Sequence, residues 1–350
     1  MELSLKENEL RNSNIELLRI ILIAFVIILH FNNDSMGGGF SVVSKDSFEY
    51  ILFHLFESFS ISAVNCFMIV SGYFLYTNKK IRIVKILDVF FIVIFYRLFD
   101  YILKLLFVGE IFSLKHFVSL FLPANYFAIF YIVCYVFSPY IAYTVRALSI
   151  KKIDCLIYAL FSIFIIITTL LDIAIDMNLF RDQGFLSPIA SMGNGQGYTI
   201  VQFITMLCLG MWIRKTDFNP KLSILLIVYI GSSIIILILR KYITTYNYNF
   251  VFNTTAAMSL FCIFKKRLYY NKVINFIAKS CFSIFCIHTG GFANKIWRSF
   301  FITKEYFSYN FIFSLFWMFM CVMFMFTTCL IVSIIMRGSD CVKFSSQFRF

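Results

Sequence analysis

Long apolar segments separated by short basic loops run from one end of this sequence to the other, and they constrain its fold more than any other feature. The 350 residues are 61% hydrophobic, include 46 Phe and are only 14% charged, a composition outside the range of soluble globular domains. Apolar runs of about 18 or more residues are long enough to cross a bilayer as helices. The sequence therefore predicts an all-α, polytopic membrane protein with about ten transmembrane helices. The predicted spans are 15–31, 51–76, 86–108, 126–145, 154–172, 199–213, 221–239, 250–264, 273–289 and 309–336.

Lysine and arginine divide unevenly between the two sets of loops that connect these segments. The loops on the side of the N-terminus, together with the C-terminal tail, hold more than twice as many basic residues as the opposite loops. By the positive-inside rule, both termini are cytoplasmic. Topology therefore explains the net charge of +13 without a nucleic-acid partner. Because no polar stretch is long enough to fold independently, we expect one transmembrane domain over residues 1–350 and no separate soluble domain.

Three ionisable side chains, Glu16, Arg19 and His30, lie within or at the ends of the first apolar segment. In a helix, the steps from Arg19 to His30 bring the two residues to within roughly 20° of the same face and about 16 Å apart along the axis. A charge on the lipid face costs at least about 2.5 kcal/mol, so intramembrane ionisable residues usually face a bundle interior or a watery cavity. The face that carries Arg19 and His30 is therefore a candidate functional site.

The side-chain chemistry of this pair suits transfer to a hydroxyl group. Histidine is the side chain best suited to take a proton near neutral pH, and a guanidinium presents a fork to a carboxylate or phosphate. The pair suits a reaction in which a hydroxyl is deprotonated near one membrane surface while an anionic donor enters from the other. A structural interpretation stays open from the residues alone: Arg19 neutralises a carboxylate in the bundle, and His30 anchors the helix at the interface.

A second group of residues lies at the end of the second predicted span and in the loop after it. Ser71, Gly72 and Tyr73 precede a basic stretch that contains Arg82 and Lys85. Small residues let helices approach closely, which is the structural interpretation of Ser71 and Gly72. The basic stretch is either a topology signal or a site for the phosphates of a cytoplasmic donor.

Further ionisable residues interrupt the apolar spans. His54 and Glu57 are three residues apart and share a helix face. Either could pair with Arg19 or Arg97, and a structural ion pair is the interpretation that we favour.

Asp100 and Lys104 are four residues apart in the third span, and we expect them to pair. His288 lies at the end of the ninth span, where it either anchors the interface or contacts an acceptor.

The order and spacing of these residues resemble those of the membrane acyltransferase-3 family, and the resemblance covers nearly the whole chain. Later elements, such as Ser283-Ile-Phe-Cys-Ile-His288, are similar in composition and position. The motifs that carry the resemblance are Arg11-x-x-x-Ile15-Glu16-Leu-Leu-Arg19-x10-His30, Asn65-Cys-Phe-Met-Ile-Val-Ser71-Gly72-Tyr73-Phe and Arg82-x-x-Lys85.

The resemblance implies a multi-pass enzyme of a bacterial inner membrane with about ten core helices. It would transfer an acyl group, commonly acetyl, from cytoplasmic acetyl-CoA or another acyl-CoA to a sugar hydroxyl. The acceptor would be a cell-surface or exported polysaccharide, or a lipid-linked sugar, and membrane lipid would surround the protein. The co-substrate would be the acyl-CoA, and no metal would be needed.

The resemblance also implies roles for individual residues. His30 would be the catalytic base and Arg19 its intramembrane basic partner. Arg82 and Lys85 would bind the phosphates of the donor; lysine at position 85 keeps the charge of the family's arginine but lacks its fork. Supporting residues would be Glu16, Ser71, Gly72, Tyr73 and His288.

Two other functions remain open from the sequence. A transporter or flippase of polysaccharide intermediates would also place charged residues along a path through the membrane. A non-catalytic component of polysaccharide synthesis would not need His30. For an acyltransferase, direct transfer and an acyl-His30 intermediate are both compatible with the residues.

Overall fold

A computed structural model describes residues 12–33, 38–122, 125–179, 195–301 and 310–338. These residues form helices joined by short connections, and no β-strand occurs among them. The all-α prediction is therefore confirmed for the described part of the chain. The two termini, Arg11 of the first motif among them, lie outside the described residues.

The helices are numbered here in chain order. The first half of the chain forms α1 Ser13–Asn32, α2 Gly39–Val42, α3 Phe48–Ser60, α4 Ala63–Leu75, α5 Ile83–Phe107, α6 Leu114–Ser119, α7 Tyr126–Ala147 and α8 Ile150–Phe161. A π-helical turn, Ser162–Ile167, continues directly into α9 Thr168–Asp176. After a 3-10 turn at Gly195–Gly197, the second half forms α10 Ile200–Thr216, α11 Leu222–Leu239, α12 Val251–Lys265, α13 Lys272–Ala278, α14 Cys281–His288, α15 Gly291–Phe301 and α16 Phe311–Gly338.

Several of these helices are long and apolar enough to cross a membrane. The six stretches that meet both conditions are Ser13–Asn32, Phe48–Leu75, Tyr126–Ala147, Ile150–Asp176, Leu222–Leu239 and Phe311–Arg337. The other predicted spans are also helical, but they are shorter, broken or more polar, and they correspond to α5, α10, α12 and the pair α13 and α14. The chain is an all-α membrane protein.

Helix α1 is the central helix of the bundle. It packs against α3, α4, α12, α13, α14 and α16, and Leu18, Leu22 and Ile27 are completely buried in it. Its first turn is tied to α13, since Ser13 Oγ donates to Asn275 Oδ1 at 2.8 Å. Because neighbours surround α1, its polar side chains face other helices rather than lipid.

Two glycines allow α4 and α10 to pack in direct backbone contact. A Cβ atom at Gly72 would overlap the carbonyl oxygen of Leu207, and one at Gly210 would overlap that of Ile69. Such close approach requires residues without a side chain. The structural interpretation of Gly72 is therefore the one that the structure supports.

Candidate functional site

A largely apolar cavity is lined by the side chain of Arg19. We call it the Arg19 cavity; its walls include Ile23 and Val26 of α1, Ser71 of α4, and Lys279 and Phe285 near α14. Arg19 is 5% exposed, and its Nη1 contacts Glu16 Oε1 at 3.0 Å. Its Nε and Nη2 have no hydrogen-bond partner among the described residues. Two guanidinium donors are thus available to a ligand.

A second, more polar cavity is lined by His30. This His30 cavity shares Phe285 with the Arg19 cavity, so one aromatic side chain lies at the junction of the two. Arg19, Ile23, Val26 and His30 follow one another at helical spacing along α1 and line this pair of cavities. The predicted common face of Arg19 and His30 is confirmed.

His30 is joined to His288 by a hydrogen bond between Nδ1 of His30 and Nε2 of His288, at 2.8 Å. On the other side of its ring, His288 Nδ1 lies 2.7 Å from the carbonyl oxygen of Ile284. A carbonyl can only accept, so His288 Nδ1 carries the proton; in neutral rings, His288 Nε2 then accepts from His30 Nδ1. Nε2 of His30 is left with its lone pair and has no partner among the described side chains. This is the tautomer that a general base needs.

The wall opposite His30 is formed by one face of α5. Arg97, Asp100 and Lys104 line the His30 cavity from that face. Asp100 accepts from Lys104 Nζ at 3.0 Å and from the backbone N–H of Phe292 at 2.7 Å, so the predicted Asp100–Lys104 pair is confirmed. Arg97 Nη1 donates to the carbonyl oxygen of Leu120 at 3.0 Å. The cavity therefore holds charged side chains in fixed positions.

The turn between α14 and α15 approaches this wall closely because it contains Gly290 and Gly291. A Cβ atom at Gly290 would overlap the Asp100 carboxylate, and one at Gly291 would overlap the Lys104 ammonium group. Glycine at both positions thus lets α5 and the end of α14 enclose the His30 cavity.

The expected ion pair of His54 or Glu57 with Arg19 or Arg97 does not form, because Arg19 pairs with Glu16. Glu57 accepts from Asn32 Nδ2 and Asn33 Nδ2, each at 2.9 Å, and His54 Nδ1 is bonded to the Tyr246 hydroxyl at 2.8 Å. Asparagine amides at the end of α1 satisfy the carboxylate of Glu57 at closer range than either arginine. Nothing in the spacing of the first two spans reveals that contact.

The residues predicted to support catalysis lie in different parts of the structure. Ser71 lines the Arg19 cavity and donates to the carbonyl oxygen of Phe67 at 2.9 Å. Tyr73 is outside that cavity, where its hydroxyl accepts from Arg214 Nη1 at 2.6 Å. His288 is fully buried and contacts His30, so it is neither an interface anchor nor an exposed acceptor contact.

The two basic residues assigned to the donor phosphates lie outside both cavities. The backbone N–H of Arg82 donates to the Tyr135 hydroxyl at 3.2 Å, and Lys85 Nζ lies 5.7 Å from the centre of the Tyr135 ring. Tyr135 stacks with Tyr131 at 6.5 Å, and Tyr131 interacts electrostatically with Arg19. A tyrosine pair thus separates this basic pair from the Arg19 cavity.

The sequence did not predict a place in these cavities for four residues, of which Lys279 was expected only to extend to the membrane interface. Lys279 adds a second cation to the Arg19 cavity, at the break between α13 and α14. Phe285 joins the cavities, and Gly290 and Gly291 shape the His30 cavity. The adjacent glycines next to His288 were a usable signal, whereas nothing distinguishes Phe285 from the other phenylalanines in the sequence.

Comparison with known proteins identifies the family. The model of the acyltransferase-3 family, described as an acyltransferase domain, matches residues 12–336. No curated protein and no solved structure matches the chain significantly. The match spans nearly all of the sequence and includes every residue of the two cavities. This chain is a member of the acyltransferase-3 family, a family of acyltransferases.

Proposed function

We propose that the protein is an integral membrane O-acyltransferase that moves an acetyl group from cytoplasmic acetyl-CoA to a sugar hydroxyl of a cell-surface or exported polysaccharide. The observation that carries this proposal is the pair of adjoining cavities along α1. One presents unpaired guanidinium donors of Arg19, and the other presents the free Nε2 of His30. A donor and an acceptor can therefore approach from opposite ends and meet near Phe285.

The Arg19 cavity suits the donor. Its largely apolar walls suit the thioester arm, and its two cations, Arg19 and Lys279, attract negative charge. In this proposal Arg82 and Lys85 hold the nucleotide phosphates at the cytoplasmic end, and the arm passes Tyr135 and Tyr131 toward Arg19. Arg19 lies about 16 Å from His30 along the helix, so it binds donor rather than contacting the reacting hydroxyl.

The His30 cavity suits the acceptor. In the reaction, Nε2 of His30 takes the proton of the sugar hydroxyl while the hydroxyl oxygen attacks the thioester carbonyl carbon. A tetrahedral oxyanion forms and collapses as the carbon–sulfur bond breaks, which gives the sugar ester and the CoA thiolate. The thiolate takes the proton back from the His30 imidazolium. Arg97, a cation of α5 in the wall of this cavity, stabilises the oxyanion.

The proposed topology places this path across a bacterial inner membrane. Ten spans, with both termini in the cytoplasm and one domain over the chain, put the N-terminal end of α1 on the cytoplasmic side. Arg19 is then close to the donor compartment and His30 close to the acceptor compartment, and the positive-inside distribution of Lys and Arg supports this orientation.

Radiolabelled acetyl-CoA tests the proposal directly. The purified protein in lipid nanodiscs is incubated with the label and with cell-envelope glycan from a strain that lacks the gene. We expect label on the glycan, and its loss in His30→Ala. The control is Thr254→Val, an isosteric change at a buried residue of α12 that lines neither cavity.

The outcome also separates the remaining possibilities. Label on the protein that is chased into glycan indicates an acyl-His30 intermediate, whereas label only on glycan indicates direct transfer. Absence of both acetyl-CoA binding and transfer would refute the proposal and favour a transporter or a non-catalytic component of polysaccharide synthesis.

A further inference from the structure

A third cavity shares no lining residue with the two cavities of the proposed active site. It lies where α3, the end of α9 and the connection after α11 meet. We call it the Arg240 cavity; its lining includes Tyr50, His54, Asp176, Arg240, Lys241 and Tyr246.

The charge of the Arg240 cavity is positive. Arg240 and Lys241 form no ion pair with any of the described residues, and Arg240 Nε is buried without a hydrogen-bond partner. The one carboxylate in the lining, that of Asp176, is already satisfied: it accepts from the backbone N–H of Thr244 at 2.6 Å and from Thr244 Oγ1 at 3.1 Å. The two cations are thus available to an anion from outside the chain.

His54 adds a polar atom that lacks a partner. The residue is 7% exposed, and its ring stacks on Phe40 at 4.2 Å between ring centres. Its Nδ1 is held by the Tyr246 hydroxyl at 2.8 Å, while Nε2 is buried and unpaired. Buried polar groups are nearly always hydrogen-bonded, so an orphan atom in a cavity wall indicates a missing ligand or water.

Aromatic side chains complete the cavity. Tyr50 packs edge-on against His54 at 4.4 Å, and the guanidinium of Arg240 lies 5.4 Å from the centre of the Tyr50 ring. That contact holds Arg240 in place, and the rings provide apolar faces beside its charge. A ligand with both an apolar face and an anionic group matches this lining.

We infer that the Arg240 cavity binds an anionic sugar, through a carboxylate or phosphate group held by Arg240 and Lys241. This inference rests on the proposed function, because the sugar would belong to the acceptor polysaccharide. Glu57, one helical turn from His54, accepts from Asn32 and Asn33 at the end of α1 that carries His30. The cavity therefore flanks the acceptor end of α1, where an acidic residue of a polymer can bind while another residue reaches His30.

Calorimetric titration of the full chain in phosphatidylcholine nanodiscs tests the inference. The probes are trigalacturonic acid, its neutral trimethyl ester and glucose 1-phosphate. We expect the wild-type protein to bind at least one of the anionic probes, and to bind trimethyl trigalacturonate at least about tenfold more weakly than the preferred anion. The anionic probe that binds more tightly identifies the group that the cavity prefers as a carboxylate or a phosphate.

Variants locate the binding site. Arg240→Gln should weaken binding of the anionic probe by about ten- to a hundredfold, because a charge-assisted contact is lost. Arg240→Lys should restore much of the affinity, and Lys45→Gln, at an exposed cation that does not line the cavity, should leave affinity unchanged.

Three results would overturn the inference: binding of neither anion, equal binding of the neutral ester, or unchanged affinity in Arg240→Gln. Loss of sugar binding in nanodiscs with phosphatidylglycerol would also overturn it, because the cavity would then be a lipid headgroup site. Acetyl-CoA binding is measured separately on the wild-type protein. If sugar binds through Arg240 but acetyl-CoA does not bind, only the acyl-transfer proposal is refuted. If acetyl-CoA binds but the anionic sugar does not, only the anion site is refuted.

Discussion

The hydrogen bond from His30 to His288 leads to the sharpest prediction about this protein. Replacement of His288 by Leu removes the acceptor for His30 Nδ1, which now lies 2.8 Å away. The N–H of a half-buried ring is then unpaired, and the ring is free to exchange tautomers and rotate. The free Nε2 lone pair of His30 is no longer fixed toward the acceptor.

The size of the effect follows from the cost of leaving a buried polar group unpaired, about 1–3 kcal/mol. If that cost falls entirely on the transition state, kcat decreases by about 5- to 150-fold. Loss of the base itself in His30→Ala removes about 10²- to 10⁴-fold. His288→Gln keeps a side-chain oxygen that accepts from His30, so its activity should lie between those of the wild type and His288→Leu.

The assay is steady-state transfer of labelled acetyl groups to glycan by protein in nanodiscs, with Thr254→Val as a buried control. We expect kcat to fall in His288→Leu while KM for acetyl-CoA stays near the wild-type value, since Arg19 and its cavity are untouched. Wild-type kcat in a folded His288→Leu protein would refute the assigned tautomer and the positioning role of His288. A rise in KM for acetyl-CoA alone would place His288 in the donor site.

Three further predictions concern other contacts. Arg19→Lys keeps a charge but loses the unpaired fork, so KM for acetyl-CoA should rise about tenfold in the same assay; an unchanged KM would exclude donor contact. Gly72→Ala should lower the free energy of unfolding by about 1–3 kcal/mol, because its Cβ meets the α10 backbone. Thermal unfolding in detergent checks this against Gly231→Ala, where a Cβ meets open space; equal melting temperatures would contradict the close packing. Gly290→Ala should displace Asp100 and raise KM for the glycan but not for acetyl-CoA; the opposite pattern would move the acceptor elsewhere.

The sequence was informative wherever one local rule decided the outcome. Helix formation in the apolar segments follows from their length and from the need to satisfy backbone hydrogen bonds in lipid. The common face of Arg19 and His30 follows from helical periodicity, and the Asp100–Lys104 pair follows from a four-residue spacing on one helix. Each of these conclusions needs only neighbours along the chain.

The tertiary structure decided which distant side chains meet. His288 lies 258 residues from His30, and no periodicity relates the two. Glu57 was expected to pair with an arginine, but it contacts two asparagines because the end of α1 packs against α3. The same reasoning applies to Phe285, whose place between two cavities depends on how α1, α7 and α14 pack.

The sequence by itself therefore determined the membrane environment, the helices and the face of α1 that carries the candidate functional side chains. Only the tertiary structure decided that His288 orients His30 and that Gly72 serves packing. It also decided that Arg240 lines a separate positive cavity. The physical reason is that local periodicity sets the direction of a side chain from its own helix, whereas its partner is set by helix packing, which brings together residues far apart in the chain.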